Sequence, residues 1–301
     1  MDFIAPFPWL GPNATPENVA RVAKAAEAMG FAEISIGEHF MYPKRPKAKY
    51  PYLPGGVLPI DSTHTNLDIL TTLSFVAAHT VKLRLRCGLI VLPYYNPFIV
   101  AKQAATVDYL SKGRLILGVG VGWMEDEFAI LKAPFKDRGP VTDEYIRLIR
   151  ALWRGDERFD GAYFSYADAH FPGRTAQKYP PIHIGGASEV AMRRVARYGD
   201  GWHIIGCTPE QAIEWRAALR RHLAMAGRKE NEIAIAGGSV SISFDGGAPD
   251  ATEALKQAEA WAKAGVSVCG LNVGGYAMPI EESLRRMEWF AEKVLPKAKR
   301  M

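Results

Sequence analysis

Residues 113–128 read GRLILGVGVGWMEDEF. Gly118, Gly120 and Gly122 occupy alternate positions in a run of small aliphatic residues, and Trp123 and three acids follow closely. A dinucleotide-binding fingerprint needs G-x-G-x-x-G between a strand and a helix. Gly118 and Gly120 fit, but the third position holds Trp123, and this strand is the fourth of the chain rather than the first. The alternative is a barrel strand. Side chains alternate across a strand, so glycine at every second position strips one face, and a flat ring or another backbone can approach it. Packing of a crowded barrel interior explains the same pattern.

Around that stretch, short apolar runs alternate with helix-patterned runs. Strands are expected over 3–7, 33–37, 83–92, 114–121, 182–186, 201–205, 233–244 and 268–273. Their near-continuous apolar character suits parallel strands buried on both faces. Thr15-Pro16, Asn96-Pro97 and Thr208-Pro209 each place a capping side chain before a proline that fits a first helical turn. Thr142 is expected to cap 143–153, and Ser188 to cap 189–198 with Gly199 behind it; the last two helices fall at 250–264 and 280–294. Eight strands, each followed by helical sequence, predict an α/β (β/α)8 TIM barrel spanning 1–301 as a single domain. An open doubly wound sheet is the rival. Two long loops stand out: 41–64 after strand 2, dense in proline and glycine, and 155–181 before strand 5. Loops of that length are commonly functional.

The chain is 48% hydrophobic with a net charge of +5. Its basic residues are spread over helix faces, not gathered into an aromatic-interleaved stripe, which argues against nucleic acid and for a small-molecule substrate. Cys87, Cys207 and Cys269 show no metal-type spacing, so no metal is expected, and a reducing compartment fits. MDFIAPFPWLG lacks the pattern of a signal peptide, and no run approaches the roughly 18 apolar residues of a membrane span. A cytoplasmic protein with no membrane association is the expectation.

The quoted stretch resembles the strand-4 signature of the bacterial luciferase-like flavin and deazaflavin oxidoreductases. Other pieces match in order: Ile36-Gly37-Glu38-His39-Phe40, VLPYYNPFIVAKQAATVDYLSKGR at 91–114, DRGPVTDEYIRLIRALW at 137–153 and PPIHIGGASEVAMRRVARYGDGWH at 180–203. The resemblance covers most of the chain and is weakest after about residue 209. Through YPY at 50–52 and GVGVGW it is most similar to the coenzyme F420-dependent branch.

This resemblance implies a TIM barrel with its tricyclic cofactor at the C-terminal mouth. It assigns Glu38 and His39, at the end of strand 2, to proton transfer; a histidine suits that task because its ordinary pKa lies near 6.5. Bacterial luciferase has its catalytic histidine at the position of Glu38, so the chain departs from luciferase chemistry there. It implies a cofactor wall of Ile90, Val91, Gly120, Gly122 and Trp123, with a non-proline cis bond between Ile90 and Val91. It places the cofactor phosphate at Gly185, Gly186, Ala187 and Ser188, where a helix N-terminus favours an anion. Luciferase carries an arginine at the position of Val121, another departure.

Trp123 and His203 are the expected substrate-pocket residues, with specificity residing in 41–64 and 155–181. His64, His79 and His170 are weaker candidates. Glu125, Asp126 and Glu127 read as the acidic start of a helix, and Lys44, Arg45, Lys47 and Lys49 as a solvated loop or an attractor for the acidic tail of F420. The leading expectation is an F420-dependent oxidoreductase. An FMN-dependent monooxygenase fed by a separate reductase is the alternative. A non-catalytic flavin binder and a metal-dependent hydrolase using Glu38, His39 and His203 are further ones. The family commonly forms homodimers.

Overall fold

Parallel pairing joins the first strand of the chain to the last. The computed structural model describes residues 1–51, 55–56, 65–244 and 249–301. Within them the strands are β1 (Asp2–Ala5), β2 (Glu33–Ile36), β3 (Arg84–Cys87), β4 (Ile90–Val91), β5 (Leu115–Gly120), β6 (Ile182–Gly185), β7 (Gly201–Ile204), β8 (Ala234–Ser241) and β9 (Val268–Asn272). They run in the order β3-β2-β1-β9-β8-β7-β6-β5-β4, and an added β3–β5 pairing closes the ring. β3 and β4 are two pieces of one stave, so the structure is a closed eight-stave parallel barrel, as the sequence predicts, with β5 as the quoted fourth strand.

Helices α1 (Pro16–Ala28), α2 (Ile69–His79), α3 (Pro97–Leu110), α4 (Glu125–Leu131), α5 (Arg138–Arg154), α6 (Glu189–Tyr198), α7 (Pro209–Met225), α8 (Ala251–Lys263), α9 (Ile280–Lys293) and α10 (Leu295–Ala298) accompany the strands. The predicted caps form: Thr15 accepts from the Asn18 amide, Asn96 from Phe98, Ser188 from Ala191, and Thr208 closes a capping box with Gln211. Thr142 is a correction. α5 begins five residues earlier than expected, at Arg138, and the Thr142 hydroxyl donates to the Arg138 carbonyl from inside the helix. Pro140 falls in the first turn, where no amide is needed, so it does not delay the start. None of the helices among the described residues is long and apolar enough to cross a membrane.

The glycines of β5 admit neighbouring protein. A Cβ on Gly118 would stand 2.1 Å from the Cys87 carbonyl oxygen of β3. Between β3 and β4 the backbone bulges at Gly88 and Leu89, and the Gly88 amide donates to the Ile36 carbonyl at 2.6 Å. Leu89 occupies the space that Gly120 and Gly185 free; Cβ atoms there would lie 3.3 and 2.3 Å from its Cδ1. Close approach of backbone and Leu89 is thus the reason for the alternation, and a flat ring at this wall would meet Leu89 as well as glycine. The expected cis bond is absent. No cis peptide occurs among the described residues, and Ile90 and Val91 keep parallel register with Val119 and Gly120.

Inside the barrel, toward the N-terminal ends of the strands, lies a charged layer. Arg86 donates to Glu33 at 2.6 Å, Arg84 approaches the other Glu33 oxygen at 2.6 Å, and the Arg86 guanidinium lies 2.9 Å from His183 Nδ1. Glu33 and Arg86 are completely buried, so each charge depends on the other. Burial, then Arg86, holds His183 well below the ordinary histidine range.

Candidate active site

At the opposite, C-terminal end the strands open into a cleft of about 980 Å³. Glu38 and His39 follow β2, Val91 ends the third stave, Gly120, Gly122 and Trp123 follow from β5, Gly185 to Ser188 link β6 to α6, and His203 lies in β7. All of these predicted residues line the cleft. Ile90 is a correction: its side chain points the other way and is completely buried in the core. Segment 155–181 is a second. It runs along the outside of the barrel: the Ala162, Tyr163 and Phe164 amides bond Glu144 in α5 and Phe164 packs on Phe98 at the start of α3, while Gln177 and Pro181 face a cavity beside Arg86 at the far end, and none of the segment lines the cleft. His64 and Tyr52 lie outside the described residues. His79 bonds its own helix at the Phe75 carbonyl, 2.8 Å away.

His39 is held from behind. Its Nδ1 lies 2.8 Å from Glu127 Oε2, and Glu127 is almost fully buried. The same carboxylate accepts from the Tyr94 hydroxyl at 3.2 Å and, through Oε1, from the Phe40 and Met41 amides at 2.6 and 3.1 Å. A carboxylate facing Nδ1 fixes the proton there and leaves Nε2 without a proton, able to accept one. Asp126 holds the next turn of the same loop, accepting from the Lys47 and Ala48 amides at 3.1 and 2.9 Å. The acids read as a helix start therefore also clasp the loop that carries the histidine. Nothing in the sequence separates Glu127 from Glu125 and Asp126, since all three read as acids in a first helical turn.

Glu38 is the second titratable group. Tyr95 donates to its Oε2, and Oε1 is buried without a hydrogen-bond partner among the described residues. Burial raises its pKa to about 7 against the Tyr95 bond, with Asp68 adding repulsion. A carboxyl whose folded pKa lies above its unfolded value stabilises the fold when protonated; the benefit is complete below about pH 4.5 and is lost as pH rises through about 7. Glu38→Gln is therefore expected to melt above the parent at pH 8, by up to about 3 kcal/mol, and to converge with it near pH 4. Thermal melts across pH check this, and parallel curves at both ends would refute it.

His203 is pushed down to about 3 by burial, then Arg86, so it is neutral at physiological pH, and its buried Nδ1 has no partner among the described residues. Trp123 stands between His39 and Tyr50, its ring 6.0 and 5.3 Å from theirs, both edge-on. At the other end, the Ala187, Ser188, Glu189 and Val190 amides have no acceptor among the described residues, and the Ser188 hydroxyl hydrogen is left over from capping. Lys136, Arg138 and Arg194 line the same cleft. Arg138 stacks on Phe135 at 4.0 Å and its Nε is buried without a partner, while Arg194 pairs with Asp143. Sequence reasoning missed these cations: Arg138 sits in α5, Arg194 in α6 and Lys136 in the connection before α5. The exposed Lys44, Arg45, Lys47 and Lys49 flank Tyr50, which lines the cleft. Among the described residues, no group of three or more His, Cys, Asp or Glu is placed to hold a metal.

The arrangement can bind a phosphorylated planar cofactor. Orphaned buried atoms of Glu38 and His203 lie at one end of the cleft and would face a ring, and free helix amides with nearby cations at the other end would hold an anionic group. The chain matches the luciferase-like monooxygenase family over residues 1–295. It is 31% identical over 284 residues to an uncharacterised protein of Mycobacterium tuberculosis, covering 92% of this chain and 94% of that one. It is 29% identical over 257 residues to the F420-dependent glucose-6-phosphate dehydrogenase of Kineococcus radiotolerans, covering 82% of this chain and 69% of that one. Among solved structures, the monooxygenase RslO1 of Streptomyces bottropensis superposes with a TM-score of 0.78 at 24% identity, covering 99% of each chain. An F420-dependent secondary alcohol dehydrogenase also reaches 0.78, at 18% identity and complete coverage of both chains.

Proposed function

Because the chain belongs to the luciferase-like monooxygenase family, we propose that it is an oxidoreductase using the deazaflavin coenzyme F420 to move a hydride to or from a small organic substrate. Two curated relatives are named as F420-dependent dehydrogenases, which supports the deazaflavin; a solved neighbour named as an FMN-bound monooxygenase keeps FMN as the second reading. The observation that carries the catalytic reading is His39, anchored by buried Glu127 at the wall of the cleft. When bound, the deazaflavin supplies the hydride-carrying carbon. The chain does the rest. Free amides of 187–190 and the N-terminus of α6 bind the phosphate, with Lys136 and Arg138 adding positive charge. Trp123 and Tyr50 restrict water at the ring end. His39 Nε2 takes a substrate hydroxyl proton as the hydride leaves the neighbouring carbon, and returns it in the reverse direction. Glu38, with a pKa near 7, stores or relays a proton beside it.

Titrating the protein with F420 and with FMN while following the melting temperature tests the reading. F420 at a hundredfold over its dissociation constant is expected to stabilise by about 2.7 kcal/mol. His39→Ala should keep that shift while losing about 10²- to 10⁴-fold in reduction of F420 by an alcohol panel. Binding of FMN with no binding of F420 would overturn the proposal in favour of a monooxygenase. Binding of F420 without turnover of any panel member would point to a carrier.

A further inference from the structure

The barrel mouth holds two chambers, and the cofactor reading uses one. The second, of about 760 Å³, lies over the C-terminal ends of β1 and β9. The chambers share Trp9, Ser35 and Tyr276. The Trp9 and Tyr276 rings meet edge to face with centroids 5.7 Å apart and form a partition. Trp9 reaches across because residue 37 is glycine; a Cβ there would lie 3.0 Å from the indole. Asn13 fixes the Tyr276 side, its amide donating to the Tyr276 and Met278 carbonyls at 3.2 and 2.6 Å.

Charge distinguishes the two. Glu38, Lys136, Arg138 and Arg194 line the cleft, whereas no described side chain lining the second chamber is charged. Its walls include Phe7, Leu10, Leu271, Val273 and Met278. Of its polar groups, the Asn13 amide is committed to the loop and Asn272 Oδ1 accepts from the Gly274 amide at 3.1 Å. The Ser35 and Ser283 hydroxyls make no hydrogen bond to any described residue, and Ser35 stands where the chambers join.

We propose that the second chamber binds the substrate, and that the substrate is a neutral, largely apolar organic molecule bearing one hydroxyl or carbonyl group. Ser35 at the partition turns that group toward the cleft. The inference rests on the cleft being the cofactor's, which leaves this chamber for the other reactant. A sugar phosphate entering it would lose its hydration with no counter-charge among the described residues to replace it. The chain therefore departs from the sugar-phosphate specificity in the names of its dehydrogenase relatives.

Calorimetric titration of the full chain without cofactor tests this, with menthone, a neutral alicyclic ketone, and glucose 6-phosphate as probes. Menthone is expected to bind with a negative heat-capacity change, the mark of apolar burial, and glucose 6-phosphate not to bind. Ser283→Trp, on α9 and outside the cofactor cleft, should weaken menthone binding about tenfold or more by filling the chamber. It should leave cofactor affinity unchanged. Ala277→Trp, on an exposed loop, is the second blocking variant should Ser283→Trp misfold. Menthone binding unchanged in a folded blocking variant, absence of menthone binding, or glucose 6-phosphate binding that a blocking variant removes would each overturn the inference. Titration of the same samples with F420 separates the two readings. F420 that fails to bind while menthone binds and is blocked sinks the cofactor assignment and leaves the chamber's.

Discussion

Glu127→Gln is expected to lower turnover by about 10²- to 10⁴-fold with little change in the shape of the site. Glu127 Oε1 accepts from two backbone amides, Phe40 and Met41, so the glutamine oxygen must take that place. The glutamine NH₂ then faces His39 Nδ1 and the Tyr94 hydroxyl, where Oε2 stood. A donor facing Nδ1 forces that nitrogen to accept, and the ring proton moves to Nε2. The nitrogen assigned to proton exchange is then already protonated, and the imidazole presents the wrong tautomer. Cofactor affinity, which the proposed phosphate site at the other end of the cleft would supply, should be unaffected. Glu127→Ala is the harsher variant. It strands two backbone amides, a hydroxyl and an imidazole, and loses about 3 to 5 kcal/mol of stability besides activity. Steady-state kinetics with F420 binding measured in parallel check the pair. Full activity in Glu127→Gln would show that the Nδ1 contact does not set the tautomer.

Gly118→Ala is expected to cost more than about 4 kcal/mol, enough to leave little folded protein. The added methyl would stand 2.1 Å from the Cys87 carbonyl oxygen, and both atoms belong to paired central strands that cannot separate without opening the barrel. Gly120→Ala, two residues on and on the same strand face, should cost only about 1 kcal/mol. Its methyl would meet Leu89 Cδ1 at 3.3 Å, the movable end of a side chain that is only half-buried. Urea melts of the two variants should therefore differ widely although the substitutions look alike in the sequence. Equal losses would contradict the packing account of the alternating glycines.

The barrel was legible because its signals are local. Apolar runs of strand length, prolines one residue behind a capping Thr or Asn, and glycines at helix ends each speak for their own element, and eight of them in series leave few topologies. Cleft residues at strand ends followed from the same count, since the C-terminal ends of parallel strands share one face. What stayed hidden depends on long-range geometry. Glu127 looked like one of three acids at a helix start, and only packing against a loop 88 residues away turns it inward. The Trp9 and Tyr276 partition joins residues from opposite ends of the chain. Only the last residues of 155–181 could have been placed, because a segment leading into a strand enters at the N-terminal end; its middle is set by long-range contacts with Glu144 and Phe98. Ile90 and Val91 were assigned alike from resemblance, yet alternation along a strand sends their side chains to opposite sides.

The clasp of Asp126 and Glu127 also has a consequence for the newborn chain. Residues 39–48 leave the ribosome long before the two carboxylates that organise them, with His39 and Glu127 separated by 88 positions. At about 5 to 20 residues per second, that interval lasts roughly 4 to 18 s. Throughout it Phe40 and Met41 have unanchored amides and no carboxylate to fold against, so the segment that carries His39 cannot take its final form until the fifth strand and the helix behind it have emerged.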